Sequence, residues 1–224
     1  MGRYTKFVLS KNTLYRTLRP FVRFLTDLRR VREIAKQVYS RFPFLEKDFE
    51  RSLVIDLGAN RGDFSMWAAS QNAHVIAVEP DPIAFAYLAK RTKDVSGIYL
   101  LNCAVSNESK LGSLYHHINR STDPLGHTIS SSIDMTKKNV DSNKFSQILI
   151  LDIENLLIFP NIKLLKVDIE GGEKYIWKSI ALNYKNIEYL LIEVHDSIGR
   201  AIKVEIQNFI ESQGLSEKWK FDWI

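Results

Sequence analysis

The fold is decided by one stretch, Val54-Ile55-Asp56-Leu57-Gly58-Ala59-Asn60-Arg61-Gly62. It begins as an apolar run that predicts a buried strand, and its glycines allow a sharp turn. A helix over about 63–71 and a second strand over 74–79 follow. The next helix starts at Asp81, which suits an N-cap, with Pro82 at its first position. This alternation predicts parallel strands joined by crossover helices.

Three further apolar runs extend the pattern, over residues 98–105, 162–167 and 187–194. They are apolar at nearly every position, which is typical of strands covered on both faces. A later amphipathic helix carries Ile202, Ile206, Phe209 and Ile210. We therefore predict an α/β fold: a Rossmann-like, mostly parallel sheet with helices on both faces.

An insertion at about 106–160 separates the third and fourth predicted strands. Its pattern predicts edge strands over residues 113–118 and 147–150 and a short helix over 152–157. The polar residues 119–144 predict a loop or hairpin. Long insertions at one end of a sheet usually carry substrate recognition. Three histidines of the insertion either contact the acceptor or are ordinary surface residues: His116, His117 and His127.

Length and composition restrict the class of protein. The chain has 224 residues, 45% of them hydrophobic, so it can form one domain of ordinary composition with a short appendage. No apolar run approaches the roughly 18 residues that a membrane span needs. The single cysteine, Cys103, excludes an intrachain disulfide, and the N-terminus lacks the apolar core of a secretory signal. We expect a cytoplasmic location.

The positive charge is concentrated at the N-terminus. Residues 1–41 hold 11 Lys and Arg against two acids, a net charge of +9, whereas the whole chain carries +5. This excess and a helical apolar periodicity predict a basic amphipathic segment over 1–50, ahead of a domain over 51–224. Two interpretations stay open. The helix packs on the domain with solvated cations, or it contacts anionic lipid or, less favoured, nucleic acid.

The ends of the first two strands indicate a ribose-bearing cofactor. Parallel sheets bind ligands beyond the carboxyl ends of their strands. Asp56 and Glu79 close two consecutive strands, and the second acid stands where such folds contact ribose hydroxyls. The glycine spacing differs from the G-x-G-x-x-G that seats a pyrophosphate, and Asp56 favours a cationic ligand, which suits S-adenosylmethionine. The alternative is a glycine-rich turn that binds nothing, with Asp56 capping the helix.

Five blocks of the chain, in order, resemble the FkbM-type S-adenosylmethionine-dependent methyltransferases, a class I family, across roughly residues 52–196. The blocks are residues 54–65, 78–82, 102–106, 164–173 and 192–195. The block from Lys166 to Glu173 and the following Glu193-Val194-His195 are the most particular to the family. The resemblance implies a seven-stranded fold and O-methylation, often of sugars or polyketide hydroxyls. The family's sheet ends in a helix and an antiparallel strand pair, of which only residues 218–224 follow the last predicted helix here.

The strand ends and the resemblance together give the predicted site. We expect the cofactor to contact Asp56, Gly58, Ala59, Asn60, Gly62, Glu79, Pro80, Cys103 and Ala104. Cys103 is expected to be a small apolar filler beside the adenine.

Methyl transfer to a hydroxyl needs alignment and a base for the departing proton. The candidate catalytic residues are Asp168, His195 and Glu170. Asp168 ends the fourth strand, and His195 is a candidate because imidazole titrates near neutral pH. Glu170 and Glu173 either serve catalysis or complement a helix dipole. A divalent cation held by Asp168, Glu170, Glu193 and His195 is an alternative that ranks behind direct base catalysis.

Three functional hypotheses follow. The leading one is an S-adenosylmethionine-dependent O-methyltransferase that acts on a sugar, glycan or natural-product hydroxyl. The second is a peripheral membrane or nucleic-acid-binding module on an inactive fold of this type. The third, a nicotinamide-dependent oxidoreductase, is disfavoured by the glycine spacing.

Overall fold

The computed structural model describes residues 48–120, 128, 130–195 and 200–221. The predicted basic amphipathic helix and the whole +9 segment lie outside the described residues. Among the helices of the described part, none is long and apolar enough to cross a membrane.

The main sheet contains six strands that pair in parallel throughout. They are β1 (Leu53–Leu57), β2 (His74–Val78), β3 (Ile98–Leu101), β7 (Ile162–Val167), β8 (Ile187–Ile192) and β9 (Trp219–Phe221). Their spatial order is β3-β2-β1-β7-β8-β9, so the chain changes direction across the sheet between β1 and β7. A doubly wound sheet binds its ligand where the strand order reverses.

Helices cover both faces of this sheet, as predicted. They are α1 (Asp63–Ser70), α2 (Pro82–Thr92), α4 (Glu173–Leu182) and α5 (Arg200–Ser212). Successive side chains of a strand point to opposite faces, and Ile55 and Val54 accordingly belong to two separate apolar clusters. One cluster contains Trp177 and the other Trp67, which also contacts the buried Phe49 with ring centroids 5.6 Å apart.

The third predicted strand divides between two sheets, which corrects the expectation of one continuous strand. β3 ends at Leu101, and β4 (Ala104–Ser106) joins a second sheet. The chain leaves the main sheet at Asn102, whose side-chain amide donates to the carbonyl oxygens of Glu79 (2.8 Å) and Pro80 (3.3 Å). These two hydrogen bonds fix the segment between β3 and β4 against the end of β2.

The insertion forms the second sheet, which we call the inserted sheet: β4, β5 (Lys110–His117) and β6 (Val140–Asp152), in the order β4-β6-β5. β6 pairs in parallel with β4 and antiparallel with β5. Both β5 and β6 are longer than predicted, and residues 140–144, expected in a polar loop, are the start of β6. The short α3 (Glu154–Leu157) follows directly.

The C-terminal described strand, β9, continues the parallel sheet. It pairs in parallel with β8, and its Trp219 is buried against Trp177, with ring centroids 6.5 Å apart. The described residues of the main sheet contain no antiparallel pair, in contrast to the ending that the family resemblance implies.

Candidate active site

The carboxyl ends of β1, β2 and β7 meet the inserted sheet at one cleft, which we call the central cleft. Its empty volume is about 690 Å³, including the part open to solvent. The cleft is lined by Gly58, Asn60, Val78, Glu79, Pro80, Cys103, Ala104, Val105, Leu114, Thr128, Ser131, Ser132, Ile133, Asp168, Ile169 and Glu170. The predicted residues Gly58, Asn60, Glu79, Pro80, Cys103, Ala104, Asp168 and Glu170 are therefore brought together.

The turn after β1 borders the cleft through Gly58 and Asn60. Gly58 has φ +79 and Asn60 has φ 47, both in the left-handed region. The backbone N–H groups of Gly58 and Ala59 donate to the carbonyl oxygen of Val78, at 3.0 and 2.9 Å. The turn is therefore bound to the end of β2.

Glu79 lies at the end of β2 and is 4% exposed. Its two carboxylate oxygens accept hydrogen bonds from the backbone N–H groups of Asn60 and Asp81, each at 2.7 Å. Burial raises the pKa of Glu79 to about 8 despite these two donors. An acid in this position can accept hydrogen bonds from the hydroxyls of a ribose, and this role of Glu79 stays a prediction.

Asp56 does not lie on the central cleft, contrary to the expectation that it faces a cationic ligand. Its carboxylate is completely buried, accepts a hydrogen bond from Ser65 Oγ (2.6 Å) and forms an ion pair with Lys166 Nζ (3.1 Å). Lys166 Nζ also donates to the carbonyl oxygen of Gly58 at 3.2 Å. Asp56 therefore balances a buried cation beneath the turn, and its charge is not available to a ligand.

Ala59 and Gly62 do not line the cleft either, although both were predicted to contact the cofactor. Ala59 is 5% exposed and belongs to the apolar cluster around Trp67. A β-carbon on Gly62 would lie 2.3 Å from Leu88 Cδ1, so this glycine permits close packing of α2. Their function is to shape the turn.

Cys103 belongs to the apolar cluster around Trp177, and its place beside the adenine stays a prediction. It is 4% exposed and lines the cleft, and burial raises the pKa of its thiol to about 11. A thiol with this pKa is protonated at neutral pH and a poor nucleophile.

The ends of β7 and β8 bring a second group of side chains together, which we call the acid–histidine cluster: Asp168, Glu170, Glu173, Glu193 and His195. Asp168, Glu193 and His195 each offer one ligand atom, and these atoms lie within 4.8 Å of one another. Burial, followed by the nearby carboxylate of Asp168, raises the pKa of Glu193 to about 7. The convergence predicted for the fourth and fifth strand ends is therefore observed.

His195 lies between two carboxylates. Its Nδ1 is 2.9 Å from Glu173 Oε1, and its Nε2 is 3.3 Å from Glu170 Oε2. Burial alone would lower the pKa of His195, but hydrogen bonds to Glu170 and Glu173 raise it to about 10. The imidazole is then protonated at neutral pH, which corrects the expectation that His195 titrates there as a base.

Glu170 is held in an uncommon backbone conformation, with φ 58. Its side chain forms an ion pair with Lys137, and its carbonyl oxygen accepts a hydrogen bond from Ser132 Oγ (2.8 Å). Burial alone would raise the pKa of Glu170, but His195 and Lys137 hold it below its usual range. Glu170 is thus an ionised carboxylate with two cationic partners, and a poor proton acceptor.

For Glu173 the sequence left open a role in catalysis or a role in complementing a helix dipole. Glu173 begins α4, where an acid complements the helix dipole. It is also completely buried, and its Oε1 accepts a hydrogen bond from the backbone N–H of Ile169 at 3.3 Å. Glu173 therefore positions His195 from beneath and does not reach the cleft.

Sequence reasoning assigned recognition to the insertion but did not identify most of the cleft residues that the inserted sheet and its neighbouring segment provide. Leu114 of the inserted sheet and four residues of the segment before β6 line the cleft: Thr128, Ser131, Ser132 and Ile133. No motif marks them, because they lie in a polar stretch without periodicity.

His116 is buried, with Nε2 2.9 Å from Ser146 Oγ, and is not a cleft residue. His117 Nδ1 accepts from the backbone N–H of Asn119 (3.1 Å), and His127 lies outside the described residues.

The composition of the central cleft suits a cationic nucleoside. An apolar wall of Val78, Cys103, Val105, Leu114 and Ile133 can pack against an adenine. Glu79 can accept from ribose hydroxyls, and Asp168 can stabilise a positive charge. The residues present therefore fit S-adenosylmethionine, because the lining of the cleft combines apolar side chains with two acids.

Comparison with known proteins gives a family match. Residues 56–215 match the family model described as Methyltransferase FkbM domain. The chain is also 24% identical over 155 residues to the hexuronic acid methyltransferase AglP of Haloferax volcanii. That alignment covers 69% of this chain and 60% of the relative, so the chain spans about 60% of the length of this curated protein.

Two solved structures are among those to which this chain is similar. Methyltransferase FkbM from Methylobacillus flagellatus is 17% identical, with a TM-score of 0.44 over 73% of this chain and 37% of that chain. Precorrin-6y C5,15-methyltransferase from Geobacter metallireducens is 12% identical, with a TM-score of 0.39 over 95% of this chain and 76% of that one.

Proposed function

Because the chain belongs to the family of methyltransferase FkbM domains, we propose that it transfers the methyl group of S-adenosylmethionine to a hydroxyl of a sugar or another small acceptor. The observation that carries the proposal is the central cleft, in which the buried Glu79 and the partly exposed Asp168 lie at the ends of parallel strands of one sheet. The named activity of the hexuronic acid methyltransferase relative supports a sugar acceptor.

Different residues of the cleft would bind different parts of the cofactor. Glu79 would hold the ribose beside the turn that Gly58 and Asn60 form, and the apolar wall would hold the adenine. When bound, S-adenosylmethionine supplies a methyl group on a cationic sulfur, which an alcohol oxygen can displace. The protein's main contribution is to align the acceptor with that methyl group, which is worth up to about 7–11 kcal/mol in well-oriented systems.

Asp168 is the proposed proton acceptor. It lines the cleft, its side chain is 27% exposed, and its carboxylate faces Glu193 at the end of the adjacent strand. Glu170 is less suitable because it has two cationic partners, Lys137 and His195, whereas Asp168 has only the more distant Lys166 Nζ at 3.6 Å among the ion pairs of the described residues. His195 is less suitable because it is already protonated. The acceptor oxygen forms its bond to the methyl carbon as the carbon–sulfur bond breaks with its electron pair on sulfur, and the hydroxyl proton passes to Asp168.

The test begins with cofactor binding. Isothermal titration with S-adenosylhomocysteine should reveal one site on the full-length protein. The Glu79→Ala variant should lose at least about tenfold in affinity, since it removes a buried acceptor. Glu50→Ala, an exposed glutamate on the same domain, is the matched control and should bind normally.

The acceptor is tested by methyl transfer from labelled S-adenosylmethionine. Glucuronic acid and its glycosides should become labelled, and the Asp168→Asn variant should lose the transfer while it retains S-adenosylhomocysteine binding. No heat of binding to the wild-type protein at millimolar ligand would end the proposal. Labelling of neutral sugars but not of uronic acids would retain the activity and reject the acidic acceptor.

A further inference from the structure

The inserted sheet and the segment that precedes β6 contact the turn after each cleft-forming strand. Asn60 Nδ2, after β1, donates to Thr128 Oγ1 at 3.4 Å. The carbonyl oxygen of Glu170, after β7, accepts from Ser132 Oγ at 2.8 Å. The third contact, after β2, is made by charged groups and is the most extensive.

That contact joins Arg120, in the turn after β5, to Asp81. Arg120 Nη2 donates to Asp81 Oδ1 at 3.0 Å, and Nη1 forms an ion pair with Asp81 Oδ2. The side chains of Arg120 and Asp81 are 13% and 1% exposed. Arg120 Nη1 also donates to His116 Nδ1 (2.9 Å) and Ser131 Oγ (3.2 Å). A two-pronged pair of this kind sets distance and orientation together.

Asp81 connects this pair to the ribose-binding acid. Its backbone N–H donates to Glu79 Oε1 at 2.7 Å, and its side chain caps α2 by accepting from the N–H groups of Ile83 (2.9 Å) and Ala84 (3.3 Å). Ser131 Oγ donates to Asp81 Oδ2 at 3.1 Å, and Ser131 itself lines the cleft. Asp81 therefore contacts Glu79 through its backbone N–H and the cleft wall through its carboxylate, so the positions of both depend on this one residue.

We propose that Arg120 is a positioning residue for the cofactor: it clamps the inserted sheet to the turn after β2 and so completes the central cleft. This inference rests on the proposed function. Arg120 does not line the cleft, and it acts through Asp81 and Ser131. Its loss should weaken cofactor binding and leave the transfer step unchanged once the cofactor is saturating.

The experiment compares Arg120→Ala and Arg120→Lys with Lys110→Ala, which removes an exposed lysine from the same sheet. Arg120→Ala should raise the Kd for S-adenosylhomocysteine and the KM for S-adenosylmethionine at least about tenfold, with kcat within about twofold of wild type. Arg120→Lys should recover part of the affinity, because it restores the charge but only one prong. Lys110→Ala should match wild type.

A second variant keeps the proposal testable if Arg120→Ala does not fold. Ser131→Ala removes one link between the clamp and the cleft, and should raise the same Kd about threefold with an unchanged melting temperature. The inference would be overturned if Arg120→Ala folds and binds with wild-type affinity. If Arg120→Ala is unfolded, wild-type affinity in Ser131→Ala would overturn it. A fall in kcat with an unchanged KM would also overturn it. Absence of binding by the wild-type protein would reject the proposed function instead.

Discussion

The carbonyl oxygen of Asp168 lies 1.8 Å from the position that a β-carbon on Gly58 would take. Gly58 also has φ +79, a conformation that favours glycine. The first turn and the end of β7 can approach so closely only because this residue has no side chain. Gly58 thus places Asp168 beside the turn that forms one wall of the central cleft.

Gly58→Ala should therefore destabilise the protein more than its backbone angle alone predicts. The left-handed φ costs an alanine about 1 kcal/mol, and the clash with Asp168 adds about 1–3 kcal/mol. Gly214 is the matched control, since it has φ +66 and a β-carbon added there would meet nothing within 4 Å. Urea unfolding should show a loss of about 1 kcal/mol for Gly214→Ala and about 2–4 kcal/mol for Gly58→Ala. Equal losses would show that the Asp168 backbone moves away freely.

Glu79 should make the protein less stable as the pH rises. Its pKa is about 8 in the folded protein and near 4.5 in the unfolded chain, so the folded state binds more protons between these values. The free energy of unfolding therefore falls from pH 4.5 to 8. In Glu79→Gln this fall should be absent, and the variant should gain about 3 kcal/mol on wild type between pH 5.5 and 8.5, measured by urea unfolding.

The exposed Glu50→Gln is the control for this pH series and should follow wild type throughout. If the unfolding free energies of wild type and Glu79→Gln run parallel with pH, Glu79 is ionised over the whole range. Burial would then not be the dominant influence on the pKa of its carboxyl group.

His195 should have its own dependence on pH, at the alkaline end. Its pKa is raised from 6.5 to about 10, so the stability it contributes is complete below 6.5 and is lost as the pH rises through 10. His195→Gln should be less stable than wild type by about 2–4 kcal/mol at pH 6.5, and the difference should shrink towards pH 10.5. The exposed His74→Gln should lose little at either pH. A difference that is constant across the range would mean that His195 is neutral in the folded protein.

The frame of the cleft could be predicted from the sequence because it depends on local pattern. The runs that form β1, β2, β7 and β8 are buried almost throughout, and the residues that end parallel strands must meet at one edge of the sheet. Glu79, Asp168 and His195 are predicted on this ground, and all three lie at that edge.

The partners of these residues could not be predicted, because they are distant in sequence. Asp56 and Lys166 are register neighbours on β1 and β7, and only the strand order brings them together. Arg120 and Asp81 are 39 residues apart, and the first lies in a stretch without periodicity. The length of β6 was missed for the same reason, since its polar first half gains its hydrogen bonds from β5.

Chelation separates direct base catalysis from a metal-assisted reaction. Asp168, Glu193 and His195 are close enough to share an ion, but the protonated His195 already balances part of their negative charge. We expect methyl transfer to keep its rate after dialysis against EDTA. A loss of at least about tenfold that Mg²⁺ or Mn²⁺ restores would instead make these three residues metal ligands and give the cation the task of acidifying the hydroxyl.

Lys166 should be the most sensitive buried charge of the first turn. Burial alone would lower its pKa, but Asp56 and Asp168 raise it overall, so the lysine is held as a cation with Asp56 3.1 Å away. Lys166→Met leaves the Asp56 carboxylate buried without a counter-ion and should cost about 3–5 kcal/mol in urea unfolding. Lys163→Met, on the same strand, breaks a partly exposed pair with Glu188 and should cost less than about 1 kcal/mol.

The double variant Asp56→Asn with Lys166→Met should recover much of this loss, because it removes both buried charges. The amide oxygen introduced at position 56 can still accept the hydrogen bond that Ser65 Oγ donates. Strictly additive losses would show that the two side chains do not interact.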